Sequence, residues 1–163
     1  FPHVGATGLQ ESGLYQFPNG RIWSYSRTDL GMQYECFSDD EGVSWSKISP
    51  NKLFTSPASP MLVKRVGKYT VAVFNPIPWN CTKNVPAWGG RTPLACAVSE
   101  NEDVFVAKDI FLLEDDPLNE YCYPAIIEVE GGFLVAYYHS DGSGLSLKAM
   151  KIIKVLFDEI VHD

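Results

Sequence analysis

Positive charge is scarce in this chain of 163 residues: 13 Lys and Arg stand against 20 Asp and Glu, a formal net charge of −7. No Lys/Arg cluster interrupts that balance, which argues against a phosphate-backbone partner, and no nucleic acid is expected. Long apolar runs are missing too. None approaches the ~20 residues of a membrane helix, so no membrane span is expected. Cysteine is sparse, with Cys36, Cys81, Cys96 and Cys122 and no C-x-x-C pair, which argues against a zinc or redox site. Cys36, Cys96 and Cys122 fall in apolar, strand-like runs and are expected to be small buried thiols. Cys81 falls in a loop and stays open to pairing, and Asn80-Cys81-Thr82 has the form of a glycosylation sequon. No leader pattern opens the chain; it begins at Phe1 and reads as a piece of a longer protein.

What the chain does have is turns, aromatics and period-2 alternation. At 45% apolar and 13% aromatic, it has the composition of a folded domain with a real core. Its organising stretch is Ser38-Asp39-Asp40-Glu41-Gly42-Val43-Ser44-Trp45. Asp40 can accept backbone N–H bonds across a tight turn, and Gly42 can take a positive φ. Trp45 is expected to lay its indole on the hairpin. This pattern, S-x-D-x-G-x-S-W, resembles the Asp boxes of sialidases and other β-propellers, with Ser38, Asp40, Gly42 and Trp45 as its structural residues. Taken alone, it speaks for fold and not for function.

The rest of the chain repeats a four-strand unit. Strands are expected over 8–17, 21–28, 33–38 and 44–48. Arg21, Trp23, Tyr25 and Arg27 share one face of the second. A second unit runs over 60–66, 69–74, 91–99 and 104–113. It is interrupted by a polar loop, 75–90, in which Trp79 and Trp88 stand alone, as a sugar-stacking rim or as loop pins. Ser99-Glu100-Asn101-Glu102-Asp103 sits where a second box would fall, in degenerate form. A third unit covers 123–129, 133–139 and 146–155. The stretch 148–160 fits both periods and is read as strand followed by a short helix. The expected fold class is thus all-β: about three four-stranded blades of a six-bladed β-propeller, over about 8–50, 57–113 and 121–160, with the N-terminal blades missing. Six blades within 163 residues would leave roughly 27 each, well short of the ~40–50 typical of propeller repeats. Such a fragment is expected to pair with itself or with its missing half, because open blade faces are apolar.

Four residues carry the candidate chemistry. Glu11, a turn at Gly20 and then Arg27 form a run similar to one in sialidases. Downstream come Arg91 and the stretch Tyr121-Cys122-Tyr123-Pro124-Ala125-Ile126-Ile127. From about Glu11 to His139 the chain resembles the sialidase superfamily of BNR/Asp-box repeat proteins. The resemblance implies Tyr123 as nucleophile, Glu11 as its base, and Arg27 and Arg91 in a clamp for the substrate carboxylate. Pro124 replaces the Ser that usually follows the sialidase tyrosine, a form similar to bacterial sialidase-like BNR-repeat proteins. The chemistry agrees with this assignment. A sialoside carries a carboxylate beside its anomeric carbon, which repels an anionic nucleophile and favours a neutral phenol. With a pKa near 10, that phenol needs an adjacent base. Guanidinium matches carboxylate in a planar fork.

The resemblance also implies a further clamp arginine and an aspartate acid/base outside this chain, so the fragment alone is expected to be inactive. No cofactor or metal is needed; the partner is a glycan. Tyr121 rivals Tyr123, since period-2 counting sets both on one side. Asn75 and His139 end strands where they could line the cleft, or be satisfied strand-end polar groups. Two other readings stay open: the same fold acting on another glycan, and a non-catalytic propeller that binds glycan or protein.

Overall fold

The computed structural model describes residues 4–78, 90–140 and 147–161. Trp79, Asn80, Cys81 and Trp88, and with them the sequon, the loop pairing and the sugar-rim reading, lie outside the described residues.

Three antiparallel sheets stand in chain order. The first is β1 (Gln10–Gln16), β2 (Ile22–Arg27), β3 (Met32–Ser38) and β4 (Ser49–Thr55), paired consecutively. The second is β5 (Leu62–Val66), β6 (Tyr69–Phe74), β7 (Leu94–Ser99) and β8 (Asp109–Glu114). The third contains β9 (Tyr121–Val129), β10 (Gly132–Ser140) and β11 (Leu147–Leu156), followed by a single helical turn, α1 (Phe157–Ile160). The third sheet therefore has three strands among the described residues, not the expected four.

The middle sheet is covered on both faces, and every residue of β6 and β7 is buried. Alternation sorts their side chains. Val71, Val73, Leu94, Cys96 and Val98 pack toward the third sheet with Phe133, Val135 and Tyr137. The small Ala72, Ala95 and Ala97 face the first sheet, where Trp23, Phe54 and Phe105 supply the bulk. Trp23 centres that layer, with five ring neighbours between 5.1 and 6.4 Å away. Large against small is how two pleated faces reach close packing. The far face of the third sheet is not covered by any of the described residues: Ile127, Tyr138, Met150 and Ile152 are exposed on it.

Two strands begin later than alternation alone predicts. Ser46 donates its N–H to the Phe37 carbonyl (2.8 Å) and accepts the Phe37 N–H on Oγ (2.9 Å). That side-chain exchange takes up the edge of β3, and the β4 ladder starts only at Ser49, opposite Glu35. In the second sheet the Asn101 Oδ1 accepts from Asp103 and Val104, and the Ser99 Oγ accepts from Asn101 and Val106. The stretch expected to open β8 is spent on that turn. It mirrors the first: Asp40 accepts from the Ser44 N–H (2.8 Å) and hydroxyl (2.6 Å), Ser38 Oγ accepts from Gly42 N–H (2.9 Å), and Trp45 donates to the Gly42 carbonyl (3.1 Å).

Two β-bulges position the site. In β1, Gln10 pairs with Arg27 and Gly13 with Tyr25, so Glu11 and Ser12 together oppose Ser26. In β9, Ala125 pairs with Ala136 and Cys122 with Tyr138, so Tyr123 and Pro124 together oppose Tyr137. A proline costs nothing there, because a bulge leaves an N–H out of the ladder. Glu11 (φ 46°) and Tyr123 (φ 55°) take up the left-handed backbone.

Candidate functional site: a tyrosine, a carboxylate and two arginines

The two bulges face one another across the stack. The Tyr123 hydroxyl donates to Glu11 Oε1 at 3.0 Å, joining residues 112 apart in sequence. Glu11 Oε2 accepts from Arg27 Nη1 at 2.8 Å, and Arg27 sits at the end of β2 on the pair partner of Gln10. The Nε–H of Arg27 is buried and has no hydrogen-bond partner among the described residues. Arg91 enters just before β7, almost fully buried, with its guanidinium 5.6 Å from the Tyr123 ring centroid and Nη2 donating to the Ala58 carbonyl at 3.1 Å. Among the described residues two guanidinium groups flank one carboxylate, and guanidinium matches the planar geometry of an anionic ligand such as a carboxylate.

A left-handed backbone at a non-glycine residue costs on the order of 1–3 kcal/mol and collects at functional sites. Among the described residues there are three such positions, Glu11, Glu41 and Tyr123. Glu41 belongs to the Asp40 turn. The other two are the hydrogen-bonded pair.

Tyr121 is corrected. It does not share a side with Tyr123, because the bulge inserts one residue between them and reverses the alternation. Tyr121 is buried in the core against Tyr137, while Tyr123 is 43% exposed. Burial, with Glu114, Asp116 and Asp115 nearby, pushes the Tyr121 phenol up to about 12, which makes it a poorer nucleophile. For Asn75, the surroundings fit the reading as a satisfied strand-end polar group: it is buried, its Nδ2 donates to the Arg91, Pro93 and Tyr121 carbonyls, and its Oδ1 accepts from Ser59. His139 is half-buried opposite Tyr121, with Nδ1 2.7 Å from the Ser140 carbonyl, and no hydrogen bond joins it to the four site residues among the described residues.

Cys122, next to Tyr123, is a buried thiol pushed up by burial and lowered in part by Arg91. Its sulfur lies 3.4 Å from Ser59 Oγ. Cys36 and Cys96 are buried and free as well. One neighbour of the site escaped the sequence reading: Tyr138 meets Tyr123 edge to face, with centroids 6.4 Å apart. Together they border a shallow groove of about 160 Å³, with Ala125, Ala136, Tyr137 and Met150. Only the register of β9 on β10 reveals that contact. Among the described residues no group of His, Cys, Asp and Glu could hold a metal.

An all-β stack with this layout is the class of the sialidase-like fold. A leech intramolecular trans-sialidase matches over 92% of this chain and 24% of its own, at 15% identity and a TM-score of 0.68. The intramolecular trans-sialidase of Ruminococcus gnavus matches over 94% and 34%, at 17% identity and 0.66. An α-L-arabinanase of Penicillium chrysogenum matches over 93% and 47%, at 12% identity and 0.55. The chain thus spans less than half the length of each of these structures. No curated protein sequence matches it. The model of the BNR repeat-like domain family matches residues 6–136, and the chain belongs to that family, within the sialidase/BNR-repeat superfamily.

Proposed function

We propose that this chain is the C-terminal part of the six-bladed catalytic propeller of a retaining exo-glycosidase that removes a terminal sialic acid, or a related acidic sugar, from glycans. The observation that carries the proposal is the Glu11 carboxylate held between the Tyr123 hydroxyl and Arg27. Glu11 takes the phenol proton as Tyr123 oxygen attacks the anomeric carbon. The bond to the leaving oxygen breaks, and that oxygen takes a proton from an acid outside this chain. Water then gives a proton to the base which that outside acid has become and attacks the anomeric carbon of the glycosyl-tyrosine; the bond to the Tyr123 oxygen breaks, and Glu11 returns its proton to the phenolate. Two displacements retain configuration. Arg27 and Arg91 hold the substrate carboxylate and offset its buried charge.

The fragment alone is inactive on this reading, because the acid and a further arginine come from other blades. The uncovered apolar face of the third sheet supports a missing neighbour, since a contiguous apolar face of this kind marks an interface. A second reading keeps the fold and changes the sugar. Arg27 is already paired with Glu11 and Arg91 with the Ala58 carbonyl, and the arabinanase matches as well. The 3.0 Å contact between Tyr123 and Glu11 favours either enzyme over a purely binding propeller.

The test offers the complete protein a fluorogenic sialoside and a fluorogenic arabinoside, with Tyr123→Phe beside it. Sialoside cleavage lost in Tyr123→Phe supports the proposal. Cleavage of the arabinoside alone moves it to the second reading, and no cleavage of either favours a binding module.

A further inference from the structure

The structure points to Asn75 as the residue that holds Arg91 and Tyr123 in place, and we propose it as a positioning residue of the candidate site. Asn75 lies just past β6, 1% exposed. Its Nδ2 is within hydrogen-bond reach of three carbonyls: Arg91 at 3.1 Å, Pro93 at 2.8 Å and Tyr121 at 3.2 Å. Two N–H hydrogens therefore serve three acceptors, on either side of the point where the chain enters β7 and where β9 begins. The Arg91 carbonyl also accepts the Tyr121 N–H at 2.8 Å. One carboxamide thus fixes the backbone of one site residue directly, and of the other two residues before its bulge.

The orientation of that carboxamide is set from outside the second sheet's own ladder. Ser59 donates to Asn75 Oδ1 at 2.6 Å, which defines which end of the amide faces the carbonyls. Gln33, on β3, donates to the Ser59 carbonyl at 2.9 Å and to Ser56 Oγ at 2.9 Å. The chain Gln33–Ser59–Asn75 thus runs from the first sheet, which carries Glu11 and Arg27, to the strand ends that carry Arg91 and Tyr123. Every member is buried, so each bond acts without competition from water. Tyr123 needs such a frame. Its left-handed backbone persists only while its surroundings hold it, and its own side chain is half in solvent.

The inference rests on the proposed roles of Tyr123 and Arg91, but its test reads geometry first. In the full chain, NMR cross-peaks between the rings of Tyr123 and Tyr138, and between the Tyr123 ring and the Arg91 side chain, report the site. Asn75→Ala is expected to reduce both by threefold or more. Val71→Ala, a core truncation on β6, is expected to lower the melting temperature and leave both in place. Ser59→Ala, which frees the amide to turn, is expected to weaken them in part, and it decides the question if Asn75→Ala does not fold. Parental cross-peaks in Asn75→Ala, or in Ser59→Ala when that variant decides, overturn the inference, and so does equal loss in Val71→Ala. In the complete protein, a displacement of about 1 Å is expected to lower kcat on the order of 100-fold. If the complete protein hydrolyses no sialoside, the proposed function fails, while the ring contacts still judge Asn75.

Discussion

Replacing Glu11 separates the work this residue does in the site from its contribution to the fold. Glu11→Gln keeps an acceptor for the Tyr123 hydroxyl but removes the proposed base. Loss of a positioned general base lowers the rate on the order of 10²–10⁴-fold, about 3–5 kcal/mol of barrier. Stability responds far less. The pair with Arg27 is partly in solvent, with side chains 36% and 16% exposed, and such pairs contribute about 0–1 kcal/mol.

Glu11→Gly tests the strain directly. It relieves a left-handed backbone that costs roughly 1–3 kcal/mol. Against that stand about 0.5–1 kcal/mol for the looser unfolded chain of a glycine and about 1 kcal/mol for each of two lost hydrogen bonds. The terms nearly cancel, so the Gly variant is expected within about 1 kcal/mol of the parent and catalytically dead. Glu11→Val loses the same bonds and keeps the strain but escapes the glycine term, so it falls about 1 kcal/mol below Gly. Urea unfolding at constant m measures all three. A Gly variant that loses more than ~2 kcal/mol, or a Val variant as stable as Gly, refutes the reasoning.

Further outcomes follow from the same contacts. Tyr121→Phe removes a buried hydroxyl that the proposed chemistry does not use; it is expected to cost about 0.5–1.5 kcal/mol in urea unfolding and to leave the proposed hydrolysis by the complete protein intact. Asp40 is held below its ordinary value by bonds from the Ser44 side chain, the Ser44 N–H and Ser38. Its contribution to the turn is therefore full above about pH 3.9 and is lost as pH falls through the lower folded value; the Ser44 amide shift should report that transition only in strong acid. Ile127→Lys with Ile152→Glu places charge on the uncovered face of the third sheet, and light scattering on the chain should then show less self-association than for the parent.

Much of the architecture was legible because it follows from local rules. Alternation and Gly turns found β6 to the residue, and the strand-then-helix ending was read from the two overlapping periods in the last stretch. The Ser38–Trp45 pattern marked a turn whose bonds the side chains themselves define. What stayed hidden belongs to register. Pro124 was the one signal in 121–125, since a proline inside a strand marks an edge or a bulge, but counting by twos ran through it and set Tyr121 beside Tyr123, when the extra residue sends one into the core and the other into the open. The same device at Glu11 carries no proline and was invisible to counting. The strand starts at Ser49 and Asp109 were missed because Ser46, Ser99 and Asn101 use their side chains to satisfy backbone groups that a ladder would otherwise take. Asn75 was seen as a strand end, but its partners lie 16 to 46 residues away, a distance no local pattern spans. The four site residues were found together by resemblance, and their convergence became a matter of distance only in the folded chain.

The central claim is that Tyr123 attacks an anomeric carbon. The most direct test is to mix the complete protein with an activated sialoside, quench in acid within one turnover, and map the adduct by peptide mass. A glycosyl group on the peptide that contains Tyr123, absent in Tyr123→Phe, is the predicted result. Sialoside turnover with no adduct and an inverted product, or an adduct on a different residue, would contradict it.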